Sequence, residues 1–303
     1  MNKNAKWAAG PYLLWMVVFV IVPLILIGVF AFTTEAPFDL EGNRLTEEEA
    51  ALLIEEQGED AVENKTVFTL NHLFEVSEYL PVLLKSAWLA LIATAICLII
   101  GYPMAYFMSR FRREWQQVIQ MLIMLPMWMN FLLRTYAWMT LLEKNGWINR
   151  FLGLFDIGPF NMINTQGAVV LGMIYNYLPF MILPLYSEML KIENTTIEAA
   201  QDLGAGSVRV FTKVVIPLSM PGIASGITMV FVPAVSTFII SRMLGGGTNM
   251  LIGDLIDLQF LGNAYNPNLG AAISLVLMVF IILCMSITNQ LDNGDEEMEG
   301  KML

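Results

Sequence analysis

Six apolar stretches, each near or above the roughly 20 residues a helix needs to cross a bilayer, constrain this chain more than any other feature. They run at about 11–32, 83–108, 118–142, 166–189, 221–242 and 268–288. Of the 303 residues 56% are hydrophobic and only 14% charged, against about a quarter charged in ordinary soluble domains. That leaves too little polar surface to cover a soluble body of this size, so the excess apolar side chains face lipid. The fold class expected is all-α, a polytopic membrane protein with six transmembrane helices in one domain, 1–303. The first stretch, Pro11–Phe32, exceeds the apolar run of a secretory signal, and no small-x-small cleavage site follows it. It is read as a retained helix.

Charge then sets an expected orientation. One side of the six spans carries Lys3, Lys6, Arg110, Arg112, Arg113, Lys191, Arg209 and Lys213 in short connections. The positive-inside rule places that side, with both termini, in the cytoplasm. The opposite side holds a long acidic loop, 33–82: between Glu35 and Glu78 lie 13 of the 27 acidic residues. Within it Thr46-Glu-Glu-Glu49 fits a capping box with a short helix to follow. The loop is either a solvated insertion or a negative field that gathers cations at the mouth of a path. The acidic run Asp292–Glu299 reads as a disordered cytoplasmic end.

Cys97 and Cys284 both fall inside spans and His72 is the only histidine. A disulfide scaffold and a His/Cys metal site are therefore out of reach, and no metal ligands are assigned. No phosphate loop of the Gly-x-x-x-x-Gly-Lys type occurs, since the one Gly-Lys pair, Gly300-Lys301, is followed by Met302. No nucleophile–base pair stands out, so no catalytic residue is assigned and no cofactor is expected on the chain itself.

The connection between spans four and five, 190–220, carries the most specific pattern. Thr195 and Glu198 fit a capping box that starts a helix, and Ala199, Ala200 and Leu203 continue it. Gly204 can take the left-handed residue that stops it. A second short helix is expected from Ser207 until Pro217 ends it. Taken alone, this helix-turn-helix is either an internal packing turn or a surface that another protein approaches closely. Glu198-Ala-Ala, three residues, Gly204, nine residues, then Val214-x-Ile-Pro217 resembles the EAA loop of bacterial ATP-binding-cassette (ABC) importer permeases. Every spacing is kept; only Val for Ile and Ile for Leu depart from that pattern.

The resemblance extends along nearly the whole chain to the B-type permease subunit of spermidine/putrescine importers. The stretches that carry it include Gly101-Tyr-Pro-Met-Ala105, Leu125-Pro-Met-Trp128, Leu133-Arg-Thr-Tyr136, Leu178-Pro-Phe-Met181, Leu183-Pro-Leu-Tyr-Ser187 and Gln259-Phe-Leu261. It implies a type I importer permease fold in the bacterial cell membrane and a non-catalytic role. It also implies ATPase coupling through Glu198, Ala199, Ala200, Asp202, Gly204 and Pro217. The implied partners are a second homologous permease, two ATPase subunits that use ATP and Mg, an extracytoplasmic solute-binding protein, membrane lipid and a polyamine; no nucleic acid is implied. The acidic loop is longer than the family pattern leads one to expect.

A flexible polycation calls for carboxylates, aromatic faces and neutral acceptors along its path. Spans three and four offer Trp128, Asn130, Tyr136, Tyr175 and Asn176, with Trp138 and Tyr177 beside them. Aromatics at helical spacing serve equally as packing or interface-belt residues. Trp128, two residues after Pro126, and Tyr175, on a span holding Pro179 and Pro184, are the preferred exceptions. Ionisable residues in spans are functional candidates by default. Glu188 is read at the inner end of span four, and Asp254 and Asp257 three apart on one face of a short helix. Arg134 is expected to pair with Asp254, Asp257 or Glu143. The EAA pattern reads the ATPase and not the cargo, so from that loop alone an iron complex, sulfate or an amino acid stays open. A self-sufficient secondary transporter would need titratable relays or inverted repeats, and a membrane-embedded enzyme a catalytic cluster; neither is evident.

Overall fold

The computed structural model describes residues 10–58, 61–262 and 264–299. Lys3 and Lys6, two charges of the orientation argument, lie outside them. The chain divides into two compact units, residues 1–80 with 255–279 and residues 81–254 with 280–303.

In the first unit, helix α1 (Pro11–Ala31) carries a π turn at Val17–Ile21. It leads into a two-stranded antiparallel hairpin, β1 (Thr33–Asp39) and β2 (Val62–Phe68), with Thr33 opposite Phe68 and Asp39 opposite Val62. The acidic loop 33–82, read as an insertion with one short helix, thus also holds a two-stranded hairpin. Between them sits α2 (Glu47–Gln57), whose Thr46–Glu49 capping box is formed: Glu49 N–H donates to Thr46 Oγ1 at 3.3 Å and Thr46 N–H to Glu49 Oε2 at 2.9 Å. The turn after β1 is closed by the Asp39 carboxylate, which accepts from the Glu41 and Asn43 N–H groups at 3.0 and 2.7 Å. The Asn43 amide, donating to the same carboxylate, is the largest cause holding its pKa below the ordinary value. Glu49 is likewise lowered, first by the Thr46 N–H.

The second unit is helical. Helix α3 (Asn71–Arg110) begins a dozen residues before the expected span. It is followed by α4 (Arg113–Trp128), α5 (Phe131–Leu142), α6 (Trp147–Gly153) and α7 (Gln166–Met189). Next come α8 (Asn194–Asp202), α9 (Ser207–Leu218), α10 (Met220–Val235) and α11 (Ile239–Leu244). Helices α12 (Ile252–Leu261) and α13 (Pro267–Glu299) follow, with residues 255–279 belonging to the first unit, and α13 runs through the acidic stretch expected to be disordered.

Among the described residues four helices are by themselves long and apolar enough to span a membrane: α1, α3, α7 and the 267–288 part of α13. The third expected span, 118–142, is broken. Pro126 lacks the N–H that would bond one turn back, and α4 ends at Trp128. Asn130 Oδ1 then caps α5 by accepting from Leu132 and Leu133 N–H at 2.9 and 3.3 Å. The helical runs on either side meet at 90°. The fifth, 221–242, is also interrupted, between Val235 and Ile239.

Without a hydrophobic drive between helices in lipid, close packing holds such a bundle together. The core joins α3, α7 and α10 through Cys97, Tyr102, Met108, Met181, Leu185 and Val230. Glycines let the backbones approach. A Cβ at Gly226 would lie 2.7 Å from Met181 Sδ, and one at Gly222 2.9 Å from Glu188 Cγ.

Candidate functional site

The 190–220 segment folds as the helical hairpin α8–α9. Helix α8 starts one residue before Thr195, with Glu193 in the cap position and no side-chain cap bond. The expected Thr195–Glu198 box is not made, because Thr195 Oγ1 donates back to Glu193 Oε2 at 2.9 Å. The C-terminus is built as the sequence requires. Gly204 has φ +84°, its N–H reaches Gln201 O at 2.8 Å, and the Ala205 N–H reaches Ala200 O at 3.1 Å. This paired closure satisfies two end carbonyls of α8.

Pro217 does not end the second helix. A π turn at Phe211–Val215, closed by Ile216 N–H to Phe211 O, shifts the ladder just ahead of it. Pro217 then occupies the first turn of the next helical piece, where no N–H is needed. The chain bends by 65° at Ser219 before α10 begins.

That bend is fastened to α3. Buried Ser219 donates to Ile216 O at 3.0 Å, so its hydroxyl accepts from Tyr102 OH at 2.8 Å. Phe211 meets Tyr102 and Tyr106 edge-on, each at 5.5 Å. Arg110, over the Tyr106 ring at 5.4 Å, donates to Ile192 O and Asn194 Oδ1. The hairpin is therefore held at both ends by aromatic, hydroxyl and guanidinium contacts, while its tip is free. Glu198, Ala199, Asp202, Gly204 and Pro217 are exposed and Ala200 is half-buried. The strongest surface signal there went unread in the sequence: Leu203 is 90% and Val208 78% exposed. Beside them a hollow of about 620 Å³ is lined by Gly204, Ser207, Arg209, Thr212 and Lys213. The tip thus carries exposed apolar side chains between an acidic α8 and a basic α9.

The path candidates do not form one cluster. Trp128 and Tyr136 lie on the outer surface of the chain, 75% and 53% exposed. Asn130 serves as the cap of α5. Tyr175 packs edge-on to Trp138 at 5.3 Å. Asn176 is buried on α7; its Nδ2 donates to Gly172 O at 2.8 Å while Oδ1 has no hydrogen-bond partner. Glu188 is bonded to Lys191 at 2.6 Å. The Asp254 carboxylate accepts from Leu251 N–H at 2.8 Å and stands 4.0 Å from Arg242 Nε. Asp257 is half-buried, one turn further along α12. Arg134 is buried, with its guanidinium 5.8 Å from the Phe131 ring centre and Nε and Nη1 unbonded. In the first unit a hollow of about 510 Å³ is lined by Glu35, Arg44, His72 and Glu75 among others, and His72 Nδ1 lies 3.2 Å from Glu75 Oε2.

Comparison with known proteins decides what this architecture belongs to. Residues 97–294, more than half of the chain, match the family model described as binding-protein-dependent transport system inner membrane component. The chain belongs to that family. It is thus a multi-pass transport component of the bacterial inner membrane, and not an enzyme. The spermidine/putrescine transport system permease protein PotB of Haemophilus influenzae is 35% identical over 98% of both chains. PotB of Escherichia coli K12 is 39% identical over 76% of this chain and 84% of its own. The inner membrane ABC transporter permease protein YdcU of Escherichia coli is 30% identical over 76% of this chain and 77% of its own. Among solved structures, a chain of a bacterial alginate ABC transporter superposes with TM-score 0.70 over 95% of this chain and 93% of its own, at 14% identity. One from the MetNI methionine ABC transporter gives 0.54 over 71% and 94%, at 16% identity. These two speak to the fold, which is the type I ABC importer permease fold.

Proposed function

We propose that this chain is a permease subunit of an ATP-driven polyamine importer, passing spermidine or putrescine from an extracytoplasmic binding protein to the cytoplasm. The observation that carries the cargo is the end-to-end relationship with a spermidine/putrescine permease, 35% identical over 98% of both chains. In this reading both termini and the α8–α9 hairpin are cytoplasmic, following the basic residues Arg110, Arg112 and Arg113.

The hairpin docks into a groove of an ATPase subunit. Glu198, Ala199, Ala200, Asp202 and Gly204 form the docking turn, and Leu203 and Val208 are its apolar anchors. Two ATPase copies bind ATP and Mg; this chain binds neither. Closure of the ATPase pair moves the hairpin as a rigid body, and the Tyr102–Ser219 and Phe211 contacts carry that movement into α3 and α10. Pro217 helps set the bend between hairpin and span.

The path runs between this chain and a second, homologous permease. Exposed Trp128 and Tyr136 supply aromatic faces to the cation, and the unbonded Asn176 Oδ1 supplies an acceptor to an ammonium group. Asp254, Asp257 and the acidic residues of the β1–β2 loop gather the polycation outside, and Glu188 meets it at the inner exit.

The test is uptake of labelled spermidine and putrescine by cells lacking their own polyamine permeases, expressing this chain with its neighbouring subunits. ATP-dependent uptake abolished by Gly204→Arg supports both class and cargo. Absence of polyamine uptake by an assembled, ATPase-bound complex discards the cargo.

A further inference from the structure

A cleft of about 540 Å³ lies between the start of α4 and the end of α7. Arg113, Gln116, Gln117 and Gln120 line one wall, spaced so that they share one face of α4. Gln116 is met from within the chain, while Gln117 is exposed and Gln120 half-buried on that face, and a carboxamide turned to apolar surroundings is costly unless something polar meets it. Tyr186 and Ser187 form the facing wall. Met124 and Leu183 also line the cleft; Met124 lies eleven residues along α4 from Arg113, about 16 Å at 1.5 Å per residue. Arg113, Gln116 and Tyr186 thus lie at the end next to the basic corner, where Leu190 also lines the cleft, and Met124 and Leu183 lie toward the other.

The end at Arg113 has a defined polarity. Gln116 Nε2 donates to Ser109 O at 3.0 Å and to Phe111 O at 2.9 Å, which uses both of its hydrogens. Its oxygen is therefore the atom turned to Tyr186, whose hydroxyl donates to it at 3.3 Å. Gln116 Oε1 and Tyr186 Oη keep free lone pairs, so this wall asks for a donor. Arg113, exposed at the first turn of α4, asks for an anion. A free polyamine would meet acceptors and also a fixed positive charge. An anionic headgroup without a donor would satisfy Arg113 and leave the acceptors unmet, and glycerol hydroxyls would reach them only as neutral donors, weaker than an ammonium. A zwitterion with phosphate and ammonium a few bonds apart satisfies both, and its acyl chain fits the end at Met124 and Leu183.

We propose that this cleft binds phosphatidylethanolamine. The phosphate sits on Arg113, the ammonium on Gln116 Oε1 and Tyr186, and the start of one acyl chain lies against Met124 and Leu183. The site is independent of which solute the transporter carries.

The experiment uses the intact transporter complex in nanodiscs of mixed phosphatidylethanolamine, phosphatidylcholine and phosphatidylglycerol. Lipid retained after transfer to detergent is counted by mass spectrometry. Phosphatidylcholine has the same phosphate and net charge but no N–H donor. The expected result is about tenfold retention of phosphatidylethanolamine over phosphatidylcholine, the size of one hydrogen bond to a charged group. Gln116→Leu should erase that preference and Arg113→Ala should lower retention of both. Equal retention of the two by the wild-type complex overturns the assignment, as does preference for phosphatidylglycerol. So does an unchanged preference in Gln116→Leu; should that variant fail to assemble, the wild-type comparison decides alone.

Discussion

Replacing Gly204 tests whether the turn of the α8–α9 hairpin is what an ATPase reads. Gly204 has φ +84°, and a Cβ added there would meet nothing within 4 Å. Gly204→Ala therefore adds no clash, only the backbone strain of an L-residue in the left-handed region, about 1–2 kcal/mol. The turn is exposed and packs on nothing, so that cost falls on the local equilibrium between closed and open hairpin and not on global unfolding. A partner that binds only the closed turn loses apparent affinity in proportion to the closed fraction, at most about 5- to 30-fold for that energy. Asn visits positive φ more readily than Ala, so Gly204→Asn should recover most of the loss although its side chain is larger. The assay titrates purified ATPase subunit onto the permease in nanodiscs, beside thermal unfolding of each variant. The expected order is wild type, then Asn, then Ala, with unchanged unfolding midpoints. Asn binding as weakly as Ala would show that side-chain size, not backbone conformation, controls the contact. Wild-type affinity in the Ala variant would remove the turn from the docking surface.

Three further outcomes are expected. At Gly172 a Cβ would fall 2.5 Å from Leu244 Cδ1 and 2.8 Å from Ile240 Cγ2, so Gly172→Ala should cost about 1–3 kcal/mol by overpacking. Leu244→Ala alone empties part of the core, so the contact is read as coupling in the double-mutant cycle from thermal midpoints in detergent: a double mutant less destabilised than the sum of the two singles is expected, and additive losses would refute the contact. Tyr102→Phe removes the 2.8 Å bond to Ser219 and should cost about 1 kcal/mol in the same assay. It should also lower ATP-driven uptake more than ATPase binding, since it loosens the bend and leaves the tip intact. Finally, the Asp39 carboxylate is held below its ordinary pKa, chiefly by the Asn43 amide. Its contribution to the β1 turn is therefore complete above that ordinary value and lost as pH falls through the lower, folded one. Hydrogen exchange of residues 38–44, corrected for intrinsic rates, should rise in that acid window and show no such step in Asp39→Ala.

What could be read from the sequence follows from how local each cause is. A bilayer imposes about 20 apolar residues per crossing, and a left-handed cap calls for glycine, so the spans and the Gly204 turn are written in consecutive residues. The β1–β2 hairpin is not. Pro37 lies within β1, where it argues against a strand, and its partner Asn64 is 27 residues away. A kink after Pro126 is readable in the sequence, but the break between α4 and α5 is not, because Asn130 reads as one more polar residue. Only its two bonds to Leu132 and Leu133 reveal it as the cap that lets a span break. Of the path candidates, that capping role and the Glu188–Lys191 bond each depend on neighbours two to three residues away, yet the residue types alone did not single them out.

The coupling hairpin shows the same division within one segment. Its tip was legible because the turn is closed among Ala200, Gln201, Gly204 and Ala205, neighbours in sequence. Its fastening was not, because Ser219 bonds a tyrosine 117 residues earlier and Phe211 lies against two rings of that same helix. These distant contacts explain why Pro217 can sit in a helix that its presence should end. Phe211 opens the π turn that shifts the ladder ahead of the proline, and the same side chain is held by Tyr102 and Tyr106. Loosening that aromatic clamp, as in Phe211→Ala, should therefore release the π turn as well, freeing the hairpin from α3 while leaving the Gly204 tip closed. Such a variant should keep its ATPase and lose uptake, the opposite of Gly204→Ala, which weakens the ATPase contact itself.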